Sequence, residues 1–207
     1  MIHISAGVVR SLVAGLVFCT LSAHAANVSV VVTDGKGALV EDAAIHLEPM
    51  NGKVPSIRPR QVDIAQKDRK FMPAMTVIQV GQPISFPNND SVRHHVYSLS
   101  QAKLFELKLY SGVPSAPVVF DKPGTVAIGC NIHDKMIAYI RVVESPWFGK
   151  TDAAGHARID GVPEGQYKLR TWHSGLSNLD LAVEQLVTIT GATYQAAVRI
   201  ELRAGAR

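Results

Sequence analysis

The chain has 207 residues and a modest, well-mixed charge, with 21 lysines and arginines against 17 acidic residues and a net charge of +4. This length is enough for one large or two small domains. The sequence contains no run of basic residues interleaved with aromatic ones, which argues against a nucleic-acid-binding surface. No segment after residue 25 is long and apolar enough to suggest a membrane span.

The first 25 residues have the pattern of a secretory signal peptide. A weakly basic start ends at Arg10, an apolar stretch covers residues 11–21, and Ala23-His24-Ala25 offers a small-x-small cleavage site. We therefore predict a signal peptide over 1–25, cleavage after Ala25 and a periplasmic location. The alternative is an uncleaved membrane anchor, although the apolar stretch is shorter than the roughly 20 residues that a spanning helix needs.

The cysteine content is low, with Cys19 and Cys130 as the two thiols of the sequence. Removal of the signal peptide would leave Cys130 alone, so the exported chain could not form an internal disulfide. A single thiol in an oxidising compartment is expected to be paired between chains or chemically occupied. Metal ligation is one way to occupy it.

Most apolar segments are short and bounded by turn residues, which favours an all-β fold. The predicted strands cover residues 28–32, 43–48, 75–80, 84–86, 104–110, 118–120, 125–128, 137–143, 156–160, 167–172, 181–189 and 192–202. A stretch rich in proline, glycine and basic residues, 50–60, is predicted to be a linker or long loop.

A thiolate, an imidazole and a thioether follow one another at intervals of three residues, as Cys130, His133 and Met136. Strand-like segments precede and follow them, so we expect all three on one tight loop. Two further imidazoles, His94 and His95, lie on a β-like segment upstream. One Cys, two His and one weak axial Met form the ligand set of a blue-copper electron-transfer site, because soft sulfur ligands suit Cu(I) and imidazole suits both oxidation states.

These segments resemble the cupredoxins. The resemblance rests on Asp63-Ile64-Ala65, Phe86-Pro87-Asn88, His94-His95-Val96 and Gly129-Cys130-x-x-His133-x-x-Met136. The short cysteine loop is most similar to that of amicyanins, and residues 71–172 also resemble periplasmic proteins labelled methylamine utilisation proteins. The resemblance implies a Greek-key cupredoxin sandwich that holds one mononuclear type 1 copper ion.

The same resemblance assigns roles to individual residues. The family's spacing from an asparagine to the upstream histidine ligand matches Asn88 and His94, so the implied copper ligands are His94, Cys130, His133 and Met136. His95 falls where the family usually carries an asparagine that braces the cysteine loop, and here an asparagine, Asn131, follows the cysteine instead. We hypothesise that His95 and Asn131 form this brace with exchanged roles, and that Asn88 supports the ligands from behind.

A second module flanks the copper-binding segment. Residues 151–169 contain two predicted strands, with Asp152-x-x-Gly155 and Pro163-x-Gly165 at the turns. They resemble the carboxypeptidase-regulatory or transthyretin-like sandwich, whose usual first strands match residues 28–48. We therefore predict a cupredoxin domain, 58–145, inserted into a small Ig/transthyretin-like sandwich made from 26–57 and 146–207. The alternative is that residues 28–48 extend the cupredoxin sheet.

Taken together, these features predict a periplasmic carrier that exchanges one electron with redox partner proteins of unknown identity. The alternative is a copper-binding or delivery protein without redox turnover. An enzyme is disfavoured, because the sequence has neither a Gly-x-Ser-x-Gly nor a His-Glu-x-x-His motif. A copper oxidase or nitrite reductase would also need further histidines or an open coordination position.

Overall fold

The computed structural model describes residues 25–52, 54–55 and 60–205. These residues form seventeen strands and no helix, which confirms the predicted all-β sandwich class. Consequently, no helix within the described ranges is long and apolar enough to cross a membrane. The predicted signal peptide lies outside the described residues except for Ala25, as does part of the predicted linker.

The strands alternate with short turns along the whole described chain. In chain order they are β1 (Ala25–Asp34), β2 (Ala44–Pro49), β3 (Val62–Asp63), β4 (Ala65–Lys67), β5 (Lys70–Met72), β6 (Met75–Gln79), β7 (Pro83–Ser85), β8 (His94–Ser100), β9 (Lys103–Tyr110), β10 (Val118–Val119), β11 (Gly124–Cys130), β12 (Ile137–Val143), β13 (Phe148–Lys150), β14 (His156–Pro163), β15 (Gly165–Trp172), β16 (Val183–Ile189) and β17 (Thr193–Ile200).

The first two strands and the last five form what we call the terminal sandwich. Its two sheets have the orders β14-β1-β17 and β13-β2-β15-β16. In β1 every second side chain is buried, including Val28, Val30 and Val32. This period of two is the signature of a strand with one face against a core, and these valines pack in one cluster with Ile45 and Leu169.

The strands between them, β3 to β12, form what we call the central sandwich. Its largest sheet has the order β6-β12-β11-β8-β9, and a three-stranded sheet, β10-β7-β3, and the β4-β5 hairpin complete it. Phe86, Phe120, Ile128 and Ile140 are buried in a single cluster that these elements share. The core of the central sandwich is therefore distinct from that of the terminal sandwich.

The terminal sandwich covers the outer face of the five-stranded sheet around β11 and β12. The ring of Tyr139 lies against that of Trp172, with centroids 5.7 Å apart. The Arg141 guanidinium donates to the Thr125 hydroxyl at 2.7 Å, and that hydroxyl donates to the carbonyl of Leu179 at 2.9 Å. The two strands that border the cysteine loop are thus supported from behind.

A buried histidine, His46, belongs to this region of contact. Its side chain is 2% exposed, and its Nε2 lies 3.1 Å from the carboxylate of Glu48. Burial holds the pKa of His46 below the ordinary histidine value, and it outweighs the Glu48 hydrogen bond, which acts in the opposite direction. The nearby guanidinium groups of Arg141 and Arg170 lower the pKa further.

We expect acid to destabilise the protein through His46. The unfolded chain takes up a proton near the ordinary histidine pKa of about 6.5, whereas folded His46 resists it until a lower pH. The free energy of unfolding therefore falls as the pH drops below that value. Urea titrations of the metal-free protein between about pH 8 and pH 5 should show that the free energy of unfolding falls more for the wild type than for His46→Gln. Equal losses in the two proteins would contradict this expectation.

Candidate metal centre

The cysteine loop, residues 130–136, joins two paired strands. Gly129 at the end of β11 pairs with Ile137 at the start of β12, and the loop between them is closed by three main-chain hydrogen bonds. The His133 amide donates to the Cys130 carbonyl at 3.3 Å, the Met136 amide to the His133 carbonyl at 2.9 Å, and the Cys130 amide to the Met136 carbonyl at 3.2 Å. These turns fix the backbone at each of the three predicted sulfur and imidazole ligands.

The neighbouring strand, β8, brings His94 to the same place. Val96 of β8 pairs with Cys130, and His94 lies two residues earlier on the same, inward face. The His94 side chain is fully buried, whereas that of His95 is turned to the opposite face, as strand alternation requires. From the sequence, His94 was chosen over His95 as a ligand on the family resemblance alone. In the structure, His94 is the imidazole that lies beside Cys130.

Three predicted ligands converge in the structure. The Cys130 Sγ lies 3.7 Å from His94 Nδ1 and 3.5 Å from His133 Nδ1, and the ligand atoms of the three residues all lie within 4.8 Å of one another. An ion about 2.0 Å from nitrogen and about 2.3 Å from sulfur holds such atoms about 3.5 to 3.7 Å apart at tetrahedral to trigonal angles. The two sulfur–nitrogen distances are therefore those expected when a metal ion binds between the atoms.

The fourth predicted ligand, Met136, lies on the same loop. Its side chain is 1% exposed and belongs to the same buried cluster as Cys130. Cys130 and His94 are also buried, whereas His133 is partly exposed, between the exposed residues Ile132 and Asp134. The site is consequently shielded from water, with one imidazole reaching the protein surface.

Asp90 holds His94 from the side opposite the cysteine. Its Oδ2 lies 2.7 Å from His94 Nε2, and its carboxylate also accepts the main-chain amides of Asp68 at 2.6 Å and Arg69 at 3.0 Å. Burial raises the pKa of the Asp90 carboxyl, but these hydrogen bonds outweigh it, so the pKa lies below its usual range. An ionised carboxylate in this position can accept a hydrogen bond from His94 Nε2, and the other ring nitrogen, Nδ1, faces Cys130.

The role of Asp90, which stands in a turn-rich cluster, 87–90, was not predicted from the sequence. The available signal was weak: an acidic residue four positions before a ligand histidine.

Asn88 shapes the segment that leads to His94. Its side-chain amide donates to the carbonyls of Val92 and Tyr110, each at 2.9 Å, and its Oδ1 accepts the amide of Asp90 at 3.0 Å. Asn88 is buried and supports the loop between β7 and β8, so it acts on the site through the path of the main chain.

The side chain of His95 is directed toward β9, and the brace hypothesised between His95 and Asn131 stays a prediction. Its Nε2 pairs with the carboxylate of Glu106 at 2.9 Å, and its ring meets Tyr97 edge-on with centroids 6.1 Å apart. The main chain joins the two residues of that brace, because the Asn131 amide donates to the His95 carbonyl at 3.2 Å. Strand alternation explains the direction of the His95 side chain, because His94, the residue before it, faces inward.

No protein-family description and no curated protein matches this sequence. Similar solved structures include a Cu-containing nitrite reductase from Thermus scotoductus SA-01, 24% identical over 47% of this chain and 25% of that one, with a TM-score of 0.39. A purple cupredoxin from Nitrosopumilus maritimus is 22% identical over 40% of this chain and 98% of its own, with a TM-score of 0.35. An oxidised mutant of amicyanin is 16% identical over 40% and 81%, with a TM-score of 0.36. The chain thus spans about a quarter of the nitrite reductase.

Proposed function

We propose that this chain is a type 1 copper protein of the cupredoxin class that carries one electron in the periplasm. The observation that carries the proposal is the convergence of the His94, Cys130 and His133 ligand atoms within 4.8 Å, with the buried Met136 on the same loop. Thiolate and thioether suit Cu(I), and imidazole suits both oxidation states. A single set of ligands can therefore serve copper before and after it takes up an electron.

Different residues of the chain meet the different requirements of such a carrier. Bound copper would supply the one-electron change itself. Pairing of β11 with β12 and the hydrogen bonds of the cysteine loop keep Cys130, His133 and Met136 in place. Burial of His94 and Cys130 excludes water, and the partly exposed His133 offers the edge through which a redox partner protein would exchange the electron.

We also propose the inserted arrangement, with the cupredoxin domain, 58–145, between the two parts of the second sandwich, 26–57 and 146–207. Strand pairing supports it, because β1 pairs with β14 and β17, and β2 pairs with β13 and β15. The two separate buried clusters support it as well. The periplasmic location rests on the predicted signal peptide.

Titration of the purified metal-free protein with Cu(II) tests the function. A carrier is expected to bind one equivalent, turn intensely blue and undergo reversible one-electron reduction. Zinc accepts the same donors and should compete for the site without producing colour. A colourless site that releases Cu(I) to a chelator would instead support the delivery protein, and a protein that binds no copper would contradict both functions.

A further inference from the structure

The hairpin formed by β4 and β5 has an unfavourable turn. Its two central residues, Asp68 and Arg69, have positive φ angles of 53° and 55°, which in two-residue hairpin turns favours Asn-Gly and similar pairs. The flanking residues, Lys67 and Lys70, are paired across the two strands, and like charges in that position are destabilising. Contacts from outside the hairpin must therefore hold this turn in place.

The contact that does so comes from Asp90. Both amides of the turn, those of Asp68 and Arg69, donate to its carboxylate at 2.6 Å and 3.0 Å. Successive amides that point at one anion form a favourable binding concavity. The hairpin and the carboxylate thus fix each other, and the Asp90 side chain is left 12% exposed.

The same carboxylate reaches a proposed copper ligand, because Asp90 Oδ2 lies 2.7 Å from His94 Nε2. A carboxylate that accepts the second ring N–H of a ligating histidine fixes its tautomer and raises its basicity as a ligand. We propose that Asp90, anchored by the β4-β5 turn, is a positioning residue that keeps His94 Nδ1 free for copper and favours Cu(II) over Cu(I). This inference rests on the function proposed above.

The direction of the effect follows from charge. The fully buried imidazole of His94 lies between the anionic Asp90 and the site of the metal. A more basic imidazole and a nearby negative charge both stabilise the more highly charged ion. Removal of the Asp90 charge should therefore favour Cu(I) and raise the reduction potential.

The first test is voltammetry of the copper-loaded Asp90→Asn protein, which keeps an oxygen acceptor but loses the charge. The ratio of Cu(II) affinity to Cu(I) affinity should fall about tenfold, which corresponds to a rise of about 59 mV for one electron. Asp134→Asn is the matched control, because it removes the same charge from an exposed residue of the cysteine loop. A shift in Asp90→Asn no larger than that in Asp134→Asn would overturn the inference.

The second test needs no copper. Nitrogen-15 NMR of the metal-free protein should show the neutral His94 ring protonated at Nε2 in the wild type and a mixture of tautomers in Asp90→Ala. If that variant does not fold, Asp90→Asn provides the comparison. A wild-type ring protonated at Nδ1, or variants with an unchanged tautomer, would refute the role of Asp90. Failure of the wild type to bind copper would overturn the proposed function, whereas the tautomer result would still decide how Asp90 acts on His94.

Discussion

Under the proposed function, replacement of Cys130 by serine should abolish the blue colour of the copper-loaded protein. The thiolate is the one ligand that gives a type 1 site its intense visible absorption, and Cys130 Sγ lies 3.7 Å and 3.5 Å from the two imidazole nitrogens. A serine hydroxyl is a hard, weakly acidic donor that copper in either state binds poorly compared with thiolate. Mutation of residues that only support a metal ligand lowers metal affinity by up to about 100-fold. Because Cys130 is proposed as a direct ligand, we expect the Cu(I) affinity of Cys130→Ser to fall by at least that factor.

A matched control for this substitution is His95→Ala. The His95 ring pairs with Glu106 on the outer face of β8, so its removal should leave both the colour and the copper stoichiometry unchanged. Visible spectra and competition with a Cu(I) chelator measure both effects in parallel. A Cys130→Ser protein that remained blue would exclude Cys130 as the metal ligand.

Truncation of Trp172 to alanine should cause the largest loss of stability. Its side chain is fully buried, its indole N–H donates to the Leu179 carbonyl at 2.7 Å, and its ring packs on Tyr139 of the central sandwich. Loss of a buried aromatic side chain costs about 3 to 5 kcal/mol. In this case the hydrogen bond from the indole N–H to the Leu179 carbonyl is lost as well. The free energy of unfolding from urea titration of the metal-free protein measures the effect.

Leu186→Ala on β16 is the control for Trp172→Ala. Leu186 is 68% exposed, and exposed substitutions usually change stability by less than about 0.5 kcal/mol. Similar unfolding midpoints for the two variants would show that the contact between the two sandwiches adds little to stability.

The longer strands could be predicted because they carry either a period of two or a continuous apolar run. β9 alternates between apolar and charged residues, and β12 follows the cysteine loop as an apolar run. The short strands between residues 62 and 72 were not predicted, because two or three residues carry no periodic signal. They form through distant partners: Val62 pairs with Ile84, and the Gln66 side chain donates to the Phe86 carbonyl.

The metal site was predictable to the extent that its chemistry is local in sequence. Regular spacing placed Cys130, His133 and Met136 on one loop, and the closing hydrogen bonds of that loop agree with this placement. Asp90 could not be found in this way, because its role depends on amides 21 and 22 residues earlier in the chain. The brace hypothesised between His95 and Asn131 stays a prediction, although the Asn131 amide does donate to the His95 carbonyl.

The partial exposure of His133 has a consequence for turnover under the proposed function. His94, Cys130 and Met136 are buried, and of the four side chains His133 alone reaches solvent. A donor and an acceptor that both dock over this imidazole cannot do so at the same time, so they must visit in alternation. Whichever of the two dissociates more slowly would then limit the flux, and an excess of either would act as a competitive inhibitor of the other.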